Sequence, residues 1–280
     1  MRKNIFVIIT SFLLAGLFIT SCINRSDEPQ FDNLSFNDKI YLFPDNDTTK
    51  PFANVEIDFN YPKSFRNSQD LARLQEIFNG TFFNSQYYGS LSPQEALDHY
   101  LEQYIQDYTD LGNQYYQDMA NLEGDNQPSW YWYQLNKENQ ILYQDKDILS
   151  YSVSDATYTG GAHGSLQVLY YTINLNSLTT ITEEDIFVPN YHNFLTSKIV
   201  DNLMKMYEVN SPEDLLNKGF FDVNDIAPNN NFWIDNKGVH YIYNQYEIAP
   251  YSMGPIEVSI PYQEIQSIVI PESIAGKQIK

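Results

Sequence analysis

Cysteine is nearly absent. Cys22 is the only one in 280 residues, which excludes an internal disulfide and leaves core burial and hydrogen bonding to hold the fold together. Basic residues are scarce as well: 16 Lys and Arg stand against 36 Asp and Glu, a net charge of −20. That balance repels phosphate backbones and excludes a nucleic-acid-binding role. The four histidines, His99, His163, His192 and His240, are too scattered for a local zinc motif. A serine on a nucleophile elbow is missing, and so is a glycine-rich phosphate cradle with its lysine. Asp45, Asp47, Thr49 and Glu56 fit some offsets of a calcium loop, but Lys50 stands where that loop needs glycine. The residues therefore point to no catalytic group, no metal site and no cofactor.

What the chain has begins at its N-terminus. Arg2 and Lys3 precede an apolar run from Ile5 to Ile19, and small residues lead to Cys22. Such a run is shorter than the roughly 20 residues a spanning helix needs and fits a secretory signal, residues 1–21. Ile19-Thr20-Ser21-Cys22 resembles a bacterial lipobox, which implies cleavage before Cys22 and a lipid on its thiol. The protein is therefore expected to be held in the bacterial cell envelope by that lipid, at the outer membrane. Removing Arg2 and Lys3 from the 16 basic residues leaves 14 against 36 acidic, a net charge of −22 for the processed chain. Long-range attraction of a cationic partner follows, weakened by salt.

Past the signal, residues 22–50 read as lipidated cysteine, polar tether and a first short strand at Lys39 to Phe43. Strict alternation of Val55, Ile57, Phe59 and Tyr61 predicts a strand. Leu71, Leu74, Ile77 and Phe78 share a helical face, with Gly80 placed to stop it. Ser92-Pro93-Gln94-Glu95 is a capping box opening a long helix, whose stripe runs from Leu97 through Leu101, Tyr104 and Tyr108 to Met119. Gly112 is expected to kink it or end it. Beyond Gly124 the period changes to two: strands are predicted at Trp130 to Leu135, Gln140 to Gln144, Leu149 to Tyr158 and Leu166 to Leu175, with Asn136-Lys137-Glu138-Asn139 a polar turn. A short helical turn capped by Thr182-Glu183-Glu184-Asp185, a helix at Phe194 to Met206 and a short one opened by Ser211-Pro212-Glu213-Asp214 and ended near Gly219 follow, then strands at Phe232 to Ile234, Val239 to Tyr243 and Ile256 to Ile260. The predicted class is α+β, antiparallel sheets covered on one side by helices. Most of the 23 tyrosines fall at core and half-buried sheet positions.

Two stretches carry a resemblance. One is Tyr158-Thr159-Gly160-Gly161-Ala162-His163-Gly164 with the strand after it and Ile181 through Phe187. The other runs from Phe232-Trp233-Ile234 through Tyr246-Glu247-Ile248-Ala249-Pro250-Tyr251 to Pro261-Tyr262. Together they resemble the DUF3298 family preceded by a DUF4163 (PdaC-like) region. The resemblance divides the chain into a DUF4163-like region, 51–164, and a DUF3298-like region, 165–280, packed as one unit. This pair forms the extracytoplasmic part of a lysozyme-sensing anti-sigma factor and occurs in bacterial lipoproteins. The anti-sigma relatives carry a transmembrane helix where this chain has a lipoprotein signal, and the deacetylase relatives carry a separate catalytic domain. The resemblance implies a ligand-binding envelope module recognising a cationic, lysozyme-like protein or a glycan such as peptidoglycan. An enzyme acting on an envelope polysaccharide is the alternative.

The glycines of the first stretch permit positive φ and close backbone approach. His163, at the loop's centre, is expected to brace a tight turn through a backbone carbonyl, with ligand binding or acid–base work the sharper reading. Gly160, Gly161, Gly164, His163, Tyr246 and Tyr251 are the candidate ligand-binding residues. Tyr246 to Tyr251 are expected to form a bulged or bent connection fixed by Pro250, with packing the first expectation for the two tyrosines and lining a cleft the second.

Overall fold

A computed structural model describes residues 27–45, 47–122 and 127–279. Cys22 and the expected signal segment lie outside the described residues. Among those described, no helix is long and apolar enough to cross a membrane.

The chain opens with strand β1 (Gln30–Tyr41), which pairs antiparallel along its whole length with β2 (Phe52–Ser64). Residues 30–38 are thus sheet and not tether. Leu34, Phe36 and Ile40 point to the core at period two, while the residues between them face water on an edge strand. Helix α1 (Ser68–Phe82) follows, capped by Asn67, whose side chain accepts from the backbone N–H of Gln69 and Asp70. Gly80 lies inside this helix rather than at its end, and Asn84 turns the chain with φ 50°.

Helix α2 (Pro93–Thr109) carries the expected Ser92–Glu95 capping box. Gly112 begins a separate helix, α3 (Gly112–Asn121), so the long helix breaks where glycine weakens it. These helices form the crossover that parallel pairing requires, and β3 (Tyr133–Gln144) pairs parallel with β2. Residues 136–139 are the middle of β3, not a turn. Lys137 and Asn139 are buried there because each finds a partner on a neighbouring strand: Lys137 pairs with Asp155, and Asn139 with Asn60. Strands β4 (Ile148–Tyr158), β5 (Ser165–Asn174) and the short β6 (Thr179–Thr180) complete a six-stranded sheet in the order β1-β2-β3-β4-β5-β6. Four of its five pairings are antiparallel.

One face of this sheet packs on the helices. Phe78 of α1 stacks on Tyr151 with ring centres 4.4 Å apart, and Phe82 stacks on Phe59 at 4.4 Å. Tyr151 shares a 2.9 Å hydrogen bond with Thr81, which satisfies its buried hydroxyl. The other face is open over β1, β2 and β3, but at its β4–β5 end the second unit covers it: Ser150 donates to Ile234 O at 2.7 Å and Thr172 Oγ1 accepts from Ile234 N at 3.2 Å, both side chains buried.

A second core forms after β6. The capped turn α4 (Glu183–Ile186) leads to α5 (His192–Met206), whose Leu195, Ile199 and Leu203 are fully buried. They share this core with an antiparallel sheet, β7 (Phe232–Ile234), β8 (Gly238–Tyr243) and β9 (Ile256–Pro261), followed by the turn α6 (Tyr262–Ile265). A 3₁₀ segment, Pro212–Lys218, ends on Gly219 at φ 108°, as the sequence pattern predicts. Both sheets are therefore covered by helices in an α+β arrangement.

The two units meet along β5. Its outer edge carries unpaired backbone groups, a liability in any sheet. Asparagine side chains close it: Asn231 Nδ2 donates to Val168 O at 2.9 Å while its Oδ1 accepts from Tyr170 N at 2.8 Å. Asn244 Oδ1 accepts from Val168 N at 2.7 Å, and Gln245 Oε1 from Leu166 N at 3.1 Å. Amide groups thus do for β5 what a further strand would do.

Candidate functional site

The turn between β4 and β5 is the glycine-rich loop. Gly160 has φ 89°, and a Cβ there would lie 2.6 Å from Trp130 O. A Cβ on Gly164 would meet Thr157 O at 2.7 Å, so the loop's two arms approach as closely as only glycine allows. Gly161, at φ 101°, accepts a 3.0 Å hydrogen bond from the Tyr158 hydroxyl. The loop so folded presents His163 at the surface.

The connection between β8 and β9 arrives beside it, placed by Asn244 and Gln245 on the edge of β5. Tyr246 adopts φ 69°, and its N–H donates to Ala249 O at 3.0 Å, closing a tight turn. Pro250 precedes a 3₁₀ turn, Tyr251–Met253. These turns bring both tyrosines to the histidine. The Tyr251 ring stacks on the His163 imidazole at 4.0 Å and 26°, and the Tyr246 hydroxyl lies 3.3 Å from His163 Nε2.

His163 Nδ1 lies 2.8 Å from Gly164 O, which can only accept. The proton therefore sits on Nδ1, and Nε2 accepts the Tyr246 O–H. The backbone bond is the bracing role expected of this histidine, but the ring is exposed and its second nitrogen faces a side chain. Packing does not describe the tyrosines: Tyr246 is 57% exposed and Tyr251 half-buried, and both line a cleft of about 370 Å³ with His163, Gln167 and Glu247. Within it Gly164 is a wall, whereas Gly160 and Gly161 shape the loop from behind. The cleft opens onto a wider groove of about 820 Å³ on the uncovered part of the large sheet's far face, the two sharing Gly164, Ser165, Leu166 and Tyr251.

Two clusters carried no sequence signal. Ser259 Oγ lies 2.7 Å from His240 Nδ1, and Asp235 Oδ1 3.3 Å from Nε2. The same carboxylate oxygen accepts the N–H groups of Lys237 at 2.6 Å and Gly238 at 2.9 Å, and the Trp233 indole stacks on His240 at 4.0 Å. The group closes the β7–β8 turn and its aromatic neighbour. Only the strand register, which sets His240 opposite Ser259, reveals it. Glu183 opens α4, where its charge is favourable, and is also buried. It accepts from the Tyr191 hydroxyl at 2.6 Å and from Asn230 N at 2.8 Å.

His163 and His240 stand in separate clusters, and among the described residues no group of three His, Cys, Asp or Glu side chains is placed to hold a metal ion. In the loop weighed for calcium, Lys50 Nζ pairs with Asp45 at 2.6 Å.

Fold and cleft define a mixed α+β module with two cores and an exposed histidine–tyrosine site at their junction. The DUF3298 family model, described as a protein of unknown function, matches residues 184–263, and the model for deacetylase PdaC matches residues 49–166. A crystal structure of a DUF3298 family member from Bacteroides fragilis is 32% identical, with a TM-score of 0.82 over 90% of this chain and 97% of that one. A DUF3298 family protein from Pseudomonas aeruginosa shares the fold at 16% identity, TM-score 0.61, over 87% of this chain and 95% of that one. No curated protein matches the chain. The chain belongs to the DUF3298 family, with a PdaC-like region preceding the DUF3298 segment.

Proposed function

We propose that the protein is a lipid-anchored binding module of the bacterial envelope, tethered through Cys22 at the outer membrane, and that its ligand is an envelope glycan seated at His163, Tyr246 and Tyr251. The carrying observation is the stack of Tyr251 on His163 with the Tyr246 hydroxyl on the ring's far nitrogen, all at the surface. Ring faces with polar tips take the apolar face of a sugar and its hydroxyls together. Catalysis fits the same residues less well: among the described residues His163 has no carboxylate partner, and Glu247 of the cleft bonds to Asn229.

A second reading, a basic partner such as lysozyme, is favoured by helices α2 and α3. Between Pro93 and Asn121 there are six carboxylates and no Lys or Arg. Four of them accept hydrogen bonds from glutamines four residues earlier: Asp98, Asp107, Asp110 and Asp118. Glutamine orders the carboxylates where lysine would neutralise them. Gln114 and then Tyr131 hold the Asp118 carboxyl below the usual carboxylate range, so its charge persists.

The test is retention of the full chain on purified peptidoglycan and on immobilised lysozyme at low and physiological salt. Glycan retention that Tyr251→Ala abolishes carries the first reading. Lysozyme retention that charge reversal of α2 and α3 abolishes replaces it with the second. Incorporation of labelled fatty acid that Cys22→Ala removes tests the anchor.

A further inference from the structure

We propose that the ligand is an uncharged, extended polysaccharide strand, and that it runs from the His163–Tyr251 cleft across the open face of the six-stranded sheet, perpendicular to the strands. This deepens the glycan reading and rests on it.

Register supplies the argument. On the face turned away from the helices, Lys39 lies opposite Asn54, Asn54 beside Gln134, and Gln134 opposite Tyr158. A second row sets Asn37 against Glu56, Glu56 beside Asn136, and Asn136 against Ala156. Each row crosses four strands about 4.8 Å apart, so its length is about 14 Å, the reach of a few linked sugars. Among the described residues the amides of Asn37, Asn54 and Gln134 have no hydrogen-bond partner, and Asn136 reaches only Glu56 at 3.3 Å. A planar amide offers a donor and an acceptor side by side, the pattern that adjacent sugar hydroxyls match.

At the end of the first row the Tyr158 hydroxyl is held by Gly161 O, which fixes that tyrosine at the corner between the sheet groove and the cleft. The groove and the cleft share Tyr251, so a chain stacked there continues onto the amide rows without crossing a barrier.

Other polymers fit poorly. A peptide strand adds to a sheet edge through its backbone, not to a face. An anionic polymer would meet Asp38 and Glu56, with Lys39 the one cation lining the groove, on a chain of net charge −20. From Gln134 to Tyr251 the lining is uncharged.

The experiment is calorimetric titration of the full chain in mild detergent with chitin and cellulose oligomers, from dimer to hexamer. The proposal expects affinity to rise from dimer to hexamer. In Asn54→Ala/Gln134→Ala the hexamer should bind about tenfold more weakly while the dimer is unchanged, a loss equal to one or two hydrogen bonds. Tyr251→Ala should weaken both. Dimer and hexamer binding equally well, or a hexamer indifferent to the amide substitutions, overturns the extended site while leaving the cleft in place. Failure of every oligomer to bind overturns the extended site for an uncharged strand, while the broader glycan reading falls only if peptidoglycan retention fails as well. Circular dichroism checks that the variants, two at exposed positions and Tyr251 half-buried, remain folded.

Discussion

Asn60 and Asn139 close the β2–β3 pair by exchanging three hydrogen bonds. Asn60 N donates to Asn139 Oδ1 at 2.7 Å, Asn60 Nδ2 to Asn139 O at 2.7 Å, and Asn139 Nδ2 to Asn60 O at 2.8 Å. The parallel ladder between these strands runs only from Ala53↔Tyr133 to Asp58↔Glu138. Beyond it the two side chains take over the backbone's partners, and this lets β2 part from β3 without orphaned groups while it stays paired with β1.

Asn139→Ala should therefore destabilise the fold by about 1–3 kcal/mol, because it leaves Asn60 groups unpaired in a buried setting. Urea unfolding of the purified chain measures this. A midpoint equal to that of the wild type would show that water replaces the amide without loss.

Lys137 is buried beneath Phe82 and pairs with Asp155. Lys137→Met should cost about 2 kcal/mol, less than a fully enclosed pair, since Asp155 keeps part of its water. The double variant Lys137→Met/Asp155→Leu should recover most of that stability. Thermal unfolding of all four members of the cycle checks it, and additive losses would refute the coupling.

Gly161→Ala should cost about 1 kcal/mol, the strain of a left-handed conformation with open space around it. Gly160→Ala should cost more, since its methyl group also meets Trp130. Equal melting temperatures for the two variants would contradict the packing of the loop on Trp130.

Acid should loosen the α5–α6 contact. Lys205 and Asn202 hydrogen-bond Glu264 at 2.8 and 2.9 Å and hold its carboxyl below the usual range, Lys205 contributing most. A carboxyl lowered in the folded state adds stability above its unfolded pKa, about 4.3, and loses it as pH falls through the lower folded value. Unfolding midpoints of wild type and Glu264→Gln should therefore differ at about pH 7 and converge in acid, once the pH has fallen below the lowered folded value. Curves that stay parallel across that range would remove Glu264 from the acid response.

Capping and local periodicity were legible without the fold. The boxes at Ser92–Glu95, Thr182–Asp185 and Ser211–Asp214 announce their helical segments because the hydrogen bonds lie within three residues. Gly112 separates α2 from α3, and Gly219 ends its 3₁₀ segment, through backbone preferences of single residues. Residues 30–38 of edge strand β1 and the centre of β3 were not legible. Asn37, Asn136 and Glu138 face an open sheet surface, where polarity is cheap and imitates tether or turn. Lys137 and Asn139 face inward, tolerated because Asp155 and Asn60 meet them from distant parts of the chain.

The site divides the same way. The sequence by itself determined that residues 159–164 make a tight glycine turn and that Tyr246 to Tyr251 make a bent connection, since both depend on local torsions. Only the tertiary structure decided that these turns meet. His163 and Tyr246 are 83 positions apart, and their contact depends on Asn231, Asn244 and Gln245 gripping the free edge of β5. Local torsional preferences are written residue by residue, whereas which edge needs partners, and which amides reach it, is fixed only when both cores have formed.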